Sequence, residues 1–332
     1  MIAVDAHGAD AGADVVFEAA LSSGVAVTVY GPPRADVGIP VVAAADSIGN
    51  DEEPALAVRS RSDASIVKAA AAVGAGEADA LVSAGPTGAT LAAAVIHIRR
   101  IRGVHRPAVA VVLPIPGGSP TLLLDAGANV EVRPEHLVQF AYMGAQFMEG
   151  VHGVERPRVA LLSNGEEAKK GTEDVVAAYA RLAEDATGLN FVGNVEGSDV
   201  TSGAADVVVT DGFTGNVALK LMEGTASTVT GAIRDAIKSS PLSALGGLMI
   251  RGQVAKLREQ IDPNATGGAI LLGVRRPVVI AHGKSSARGI ANAIRLAQRA
   301  VDERMVEKTA ARLESAGVLR SVPAASVAQP DD

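Results

Sequence analysis

The sequence predicts a doubly wound α/β protein built around a mainly parallel sheet, and three observations carry that reading. Short aliphatic and β-branched runs alternate along the chain with longer segments of helical period. Several of the runs are apolar at consecutive positions, as in strands covered on both faces. Six runs end in a polar residue closely followed by glycine: Asp5-Ala6-His7-Gly8, Ser83-Ala84-Gly85, Asp125-Ala126-Gly127, Ser163-Asn164-Gly165, Asp211-Gly212 and His282-Gly283.

In chain order, the predicted strands are Ile2–Val4, Val25–Tyr30, Ala80–Ser83, Ala108–Leu113, Leu122–Asp125, Val159–Leu162, Asn190–Val192, Val207–Thr210 and Val278–Ala281. Helical patterns lie near 64–76, 87–102, 135–149, 171–186, 214–238 and 286–316. Leu242–Ile250 is an apolar segment with Gly and Pro breaks, for which a buried loop is the plain reading. No tandem repeat is visible, so residues 1–316 are expected to form one domain, with 317–332 a flexible polar tail.

Composition narrows the possibilities. The 332 residues are 48% apolar but include only 5 Phe, 3 Tyr and no Trp, so the core must come from Ala, Val, Leu and Ile. The absence of Cys excludes disulfides, thiolate metal sites and a Cys nucleophile. A net charge of −7 argues against general nucleic-acid binding but leaves room for a local basic patch facing an acidic partner. The start Met1-Ile2-Ala3-Val4-Asp5 lacks signal-peptide character, and no run approaches the roughly 18 apolar residues of a membrane span. A cytoplasmic protein is expected.

In an open parallel sheet the carboxyl ends of the strands lie along one edge, where ligands bind. Glycine there admits sharp turns and close ligand approach, and the helices that follow aim their positive ends at the same crevice. The expected cleft is therefore lined by Asp5, His7, Gly8, Asp125, Asn129, Asn164, Gly165, Asp211, Thr214 and His282, and its ligand is an anion.

Familiar signatures fail. Gly283-Lys284-Ser285 resembles the end of a P-loop, but Val278 occupies the position of the required earlier glycine. Gly74-Ala75-Gly76 lacks the third glycine of a dinucleotide loop, where Asp79 stands, and precedes a strand instead of following one. No G-x-S-x-G elbow surrounds a serine, and the six histidines have no metal-ligand spacing. Neither metal nor cofactor is expected.

Three segments remain. Ser83-Ala84-Gly85-Pro86-Thr87-Gly88 offers hydroxyls and N–H groups suited to phosphate oxygens, or an ordinary helix start capped by Thr87. Ser163–Thr172 places Lys169 and Lys170 beside a strand end, where lysine serves phosphate as a point charge; a solvated loop is the plain alternative. Asp211-Gly212-Phe213-Thr214-Gly215-Asn216 presents a neutral amide able to stabilise an oxyanion, unless Asn216 only caps the next helix.

These segments resemble the phosphate acyltransferase family of bacterial phospholipid synthesis (PlsX). The similarity runs from Asp5 to about Ala300 and is densest in Gly118–Asn129 and Arg133–Ala141, with further matches at Gly193–Gly197, Asp206–Lys220 and Asn292–Arg295. It departs from the family at His7, Ala9 and Pro86, and more diffusely over 11–62. The resemblance implies a three-layer α/β/α fold akin to phosphotransacetylases and isopropylmalate dehydrogenases, with a protruding helical, dimer-forming extension near 225–265. It implies transfer of an acyl group from acyl-[acyl-carrier protein] to inorganic phosphate. Acyl-CoA as donor, or a non-catalytic acyl- or phosphate-binding homologue, are alternatives, and an NAD-dependent dehydrogenase on the same general fold is a more distant one.

Under the resemblance, Lys170 and Asn216 are catalytic. Ser83, Gly85, Thr87, Gly88 and Lys169 surround the phosphate, and inward faces near 135–149 and 214–225 are candidates for an acyl channel. The carrier protein would meet Arg251, Lys256, Arg258, Arg275 and Arg276, or else Arg99, Arg100, Arg102 and Arg106, with a solvated helix surface the equal alternative for either group. Leu242, Leu245, Leu248, Met249 and Ile250 would touch the membrane, where a glycerol-3-phosphate acyltransferase consumes the product.

Overall fold

The computed structural model describes residues 1–320 except Asp36, Pro116 and 261–266; for 254–260 only the backbone is described. The elements in order are β1 (Ile2–Asp5), α1 (Ala13–Ser22), β2 (Val27–Gly31), β3 (Val41–Ala43), α2 (Pro54–Ser60), α3 (Ser65–Ala75), β4 (Ala80–Ser83) and α4 (Thr87–Ala93), the last running into a π turn (Ala94–Ile98). Then come β5 (Ala108–Leu113), β6 (Thr121–Leu124), α5 (Pro134–His152), β7 (Arg158–Leu162), α6 (Glu173–Glu184), β8 (Asn190–Val195) and β9 (Val207–Val209). The chain continues through α7 (Gly212–Lys238), α8 (Pro241–Gln260), β10 (Ala269–Leu272), β11 (Val278–Ile280), α9 (Ala287–Asp302) and α10 (Met305–Ser315).

The strands form one sheet of order β3-β2-β1-β4-β11-β10-β5-β6-β9-β7-β8. β1, β2, β3, β4 and β11 run parallel, and so do β6, β9, β7 and β8. Between the two groups, β10 pairs antiparallel with both β11 and β5, and β5 pairs antiparallel with β6. The two parallel halves therefore point in opposite directions. This corrects the expectation of a single rim: β1, β4 and β11 end on one edge of the sheet, and β6, β7 and β9 end on the other.

Strand residues alternate between the two faces. Ile2, Val4, Leu122, Leu124 and Val207 join the cluster under α1, α5, α9 and α10, while Ala3, Leu81 and Leu271 join the one under α2, α3 and α4. Leu123, Ala160 and Val208 form a third cluster, against which Leu219 and Met222 of α7 pack. Phe140, Met143 and Phe147 of α5 are fully buried in the first cluster. The inward face near 135–149 is thus solid core, not an acyl channel.

Three segments depart from the expected pattern. The segment 286–316 is two helices, because Arg304 adopts φ +51° and breaks the period. Leu242–Ile250 lies within helix α8, with Leu242, Leu245, Leu248, Met249 and Ile250 exposed, so it is not a buried loop. The tail expected from 317 is held over its first residues: the Arg320 N–H donates to the Gly103 carbonyl at 2.9 Å, and Gln139 Nε2 donates to the Val318 carbonyl at 2.8 Å. The remainder of the tail, 321–332, lies outside the described residues.

Candidate active site

On the first rim, the carboxylate of Asp5 at the end of β1 is buried and accepts from Ser65 Oγ (2.5 Å), Ser83 Oγ (2.7 Å) and the His7 N–H (3.2 Å). Burial raises its pKa to about 6 against these donors. Ser83 Oγ in turn accepts from the Gly85 N–H at 3.0 Å and from Thr90 Oγ1 at 3.2 Å. Ser83, expected among the phosphate ligands, is fully buried with its hydroxyl committed to this network, so it shapes the turn from beneath.

The β1 and β4 turns touch. A Cβ on Gly8 would lie 2.6 Å from Gly85 Cα and 3.1 Å from Pro86 Cδ, so only glycine fits there. His7 Nε2 lies 3.0 Å from the Ala44 carbonyl oxygen. Pro86, not Thr87, occupies the N-cap position of α4, and Thr87 and Gly88 form its first turn, with Gly88 against Pro54. His282 is exposed at the end of β11, where its Nδ1 accepts from the Lys284 N–H at 3.1 Å.

The second rim is built around Asp125. Its fully buried carboxylate accepts from the N–H groups of Val109, Gly127, Ala128 and Asn129 and from Asn129 Nδ2, at 2.7 to 3.2 Å. Burial still pushes its pKa above the ordinary carboxylate value. Asp125 and the buried Asn129 thus fix the loop and do not line an open cleft. The Gly212 N–H donates to the Asn129 carbonyl at 2.7 Å, and Asp211 Oδ1 caps α7 by accepting from the Thr214 N–H at 2.8 Å. The cap is therefore Asp211. Asn216 stands one turn into the helix, half-buried, its side chain 3.8 Å from where a Cβ on Gly127 would be.

The turn after β7 carries Lys170. The Lys170 N–H donates to the Glu167 carbonyl at 2.9 Å, and the lysine stem lies over Gly165, whose absent Cβ would meet Lys170 Cγ at 2.8 Å. Asn164, Lys169 and Lys170 are exposed. Below them, Asn194 Nδ2 donates to the Glu167 carbonyl at 3.0 Å, while Asn194 Oδ1 and Ser163 Oγ are buried with no hydrogen-bond partner among the described residues. Asn194 is not among the residues the sequence predicts for the site, because a polar residue in an edge strand gives no signal of its own.

Since β9 lies between β6 and β7, the loops holding Gly127, Asn216 and Lys170 are consecutive on one rim. Gly85, Thr87, Gly88, Gly8 and His282 belong to the other. Neighbouring strands twist by about 20–25°, so the five steps from β4 to β9 accumulate roughly 100–125° and leave the two strand ends roughly 55–80° apart in direction. Apolar packing also links the rims, because Leu91, Ala92 and Ile96 share one cluster with Ala126, Ala128 and Leu219. Among the described residues, no three His, Asp or Glu side chains converge as a metal-binding group.

Curated relatives match most of the chain. A phosphate acyltransferase of Elusimicrobium minutum is 48% identical over 269 residues, covering 81% of this chain and 78% of the relative. One from Geobacillus sp. (strain WCH70) is 44% identical over 312 residues, covering 90% and 94%. The EutD phosphotransacetylase from Staphylococcus aureus superposes with a TM-score of 0.55 at 18% identity, covering 90% of this chain and 94% of that one, a likeness of fold. Residues 1–308 match the profile described as fatty acid synthesis protein, and the chain belongs to that family, as one of its phosphate acyltransferase enzymes.

Proposed function

We propose that this enzyme moves a fatty acyl group from the thioester of acyl-[acyl-carrier protein] to inorganic phosphate, supplying acyl phosphate for phosphatidic acid synthesis. The observation that carries the reading is the placement of the Asn216 amide and the Lys170 stem on one rim of strand ends, beside a loop rigidly held by Asp125.

In this reading phosphate is the nucleophile. Lys170, with Lys169 beside it, holds the dianion as a point charge, and main-chain N–H groups around Gly85 and Gly88 complete its cradle. A phosphate oxygen attacks the thioester carbon, and the carbonyl oxygen takes up negative charge, which the Asn216 amide stabilises by roughly 3–4 kcal/mol. The tetrahedral intermediate collapses with cleavage of the C–S bond, leaving acyl phosphate and the carrier thiolate, and the proton that the attacking phosphate gives up passes through solvent to the thiolate.

The apolar face at the start of α7, where Phe213, Val217 and Leu221 are exposed at four-residue spacing, suits the acyl chain. Further along, exposed Val229 and Ile233 of α7 suit a second copy of the chain. Exposed Leu242, Leu245, Leu248, Met249 and Ile250 of α8, with Arg251 beside them, suit a peripheral contact with an anionic bilayer. No helix among the described residues is long and apolar enough to cross a membrane. There a glycerol-3-phosphate acyltransferase would consume the acyl phosphate.

Incubation with phosphate and long-chain acyl carrier protein, with acyl-CoA in a parallel arm, tests the donor. Acyl phosphate detected by mass spectrometry from the carrier thioester is expected. Formation from acyl-CoA alone would move the reading to the CoA-dependent reaction, and binding without turnover would make this chain a non-catalytic homologue.

A further inference from the structure

Beside the second rim lies an open hollow of about 1060 Å³ between the end of α3, the π turn after α4, the β10–β11 turn and α10. Its wall holds five arginines, Arg99, Arg102, Arg275, Arg276 and Arg320, against two acids, Glu307 and Glu314. The excess of three positive charges stands on a chain whose net charge is −7.

The arginines come from three segments far apart in sequence, which the main chain ties together. The Arg275 N–H donates to the Arg99 carbonyl at 3.0 Å, Arg100 bridges Val274, and the Arg320 N–H donates to the Gly103 carbonyl at 2.9 Å. Two basic groups that looked separate in sequence, Arg99–Arg102 and Arg275–Arg276, are therefore one surface. Arg251, grouped with Arg275 and Arg276 in the sequence reading, is exposed on α8, and the side chains of Lys256 and Arg258 lie outside the described residues.

Two of the basic side chains are fastened to main-chain carbonyls: Arg275 Nε to Arg100 at 3.1 Å, and Arg100 to His105. Arg99, Arg102, Arg276 and Arg320 are exposed and make no ion pair among the described residues. Gathering like charges without carboxylate partners is unfavourable, and a surface that does so draws an anionic partner by long-range attraction. The arginines come from three separate segments along an open hollow, which suits carboxylates spread over a protein face. The loop bearing Arg99 and Arg102 also runs on to Pro107, whose carbonyl accepts from Asn129 Nδ2 at 2.8 Å. The segment that lines the hollow is thereby tied to the loop beneath Asn216.

We propose that this hollow is the docking surface for the acidic protein that delivers the acyl thioester, with Arg99, Arg102, Arg276 and Arg320 as the contacts that matter. The proposal rests on the carrier-protein reading of the donor.

The test compares the full-length enzyme with an Arg99→Gln, Arg102→Gln, Arg276→Gln, Arg320→Gln variant and with a milder Arg276→Glu variant. Each is assayed with acyl carrier protein and with an uncharged acyl N-acetylcysteamine thioester, and each is titrated with holo carrier protein. The fourfold variant is expected to raise KM for the carrier thioester at least tenfold with kcat within about twofold, and to flatten its rise with salt. Turnover of the small thioester should stay at the wild-type level, and holo carrier should bind the variant at least tenfold more weakly. Unchanged carrier KM and affinity in both variants would overturn the proposal. So would equal loss with both thioesters, or a wild-type enzyme that binds tripolyphosphate in the hollow but not holo carrier. A wild-type enzyme that binds holo carrier yet makes no acyl phosphate would instead remove the proposed reaction.

Discussion

Gly215 in the first turn of α7 lies so close to Asp125 that a Cβ there would overlap the Asp125 carbonyl oxygen. The missing side chain lets the helix start rest on the loop at the end of β6, which places Asn216 over Gly127.

Gly215→Ala must therefore lift α7 from that loop. Overpacking of this kind typically costs about 1–3 kcal/mol, and displacement of Asn216 is expected to lower turnover at least tenfold. Gly224, in the same helix, has open space around it, so Gly224→Ala should leave turnover unchanged and add up to about 1 kcal/mol of stability. Urea unfolding and steady-state rates on both variants check this; similar effects of the two would contradict it.

Asp5 makes stability depend on pH in an unusual direction. Its folded pKa, raised from 3.8 to about 6, means that the folded state binds the extra proton. The associated stability is fully present below about pH 4 and is lost as pH rises through 6. At about 1.4 kcal/mol per pKa unit, ionisation at neutral pH costs about 3 kcal/mol. Relative to Asp5→Asn, the wild-type protein should gain up to about 3 kcal/mol as pH falls from 7 to 4. Urea unfolding across that range reads the difference, and a flat difference would show that Asp5 is not tuned by burial.

The exposed apolar stripe of α8 makes a prediction about membranes. Leu245→Asp with Leu248→Asp should abolish flotation with vesicles containing anionic lipid while leaving turnover of a soluble thioester intact. Unchanged flotation would exclude this helix as the contact.

Much of the fold could be read from sequence because strands buried on both faces leave continuous apolar runs, as in Val207-Val208-Val209. Strand direction could not. Ala108–Leu113 shows the same consecutive burial whether its neighbours run parallel or antiparallel, so the reversal through β10 and β5 left no mark. Ala269–Leu272 carries no distinct strand signal, because four apolar residues between glycines suit a strand and a loop alike. Pro241 sits at the start of α8, where its fixed φ favours a helix, and Gly246 within it costs only about 1 kcal/mol relative to alanine, so neither breaks the helix as composition suggested. In the site, Lys170 and Asn216 were reached through resemblance, since residue type alone left a solvated loop and a helix cap open. The roles of Ser83 and Asp125 as buried braces depend on partners such as Ser65, distant in sequence, that no local pattern reveals.

The most direct test of the central claim is single-turnover formation of acyl phosphate from acyl carrier protein, with phosphate concentration varied, for wild type, Lys170→Ala and Asn216→Ala. Both variants should keep the wild-type fold by circular dichroism. Lys170→Ala should raise the half-saturating phosphate concentration, and Asn216→Ala should lower the maximal rate, each by at least tenfold. Wild-type rates and phosphate dependence in both variants would show that the rim bearing these residues is not where the acyl group is transferred.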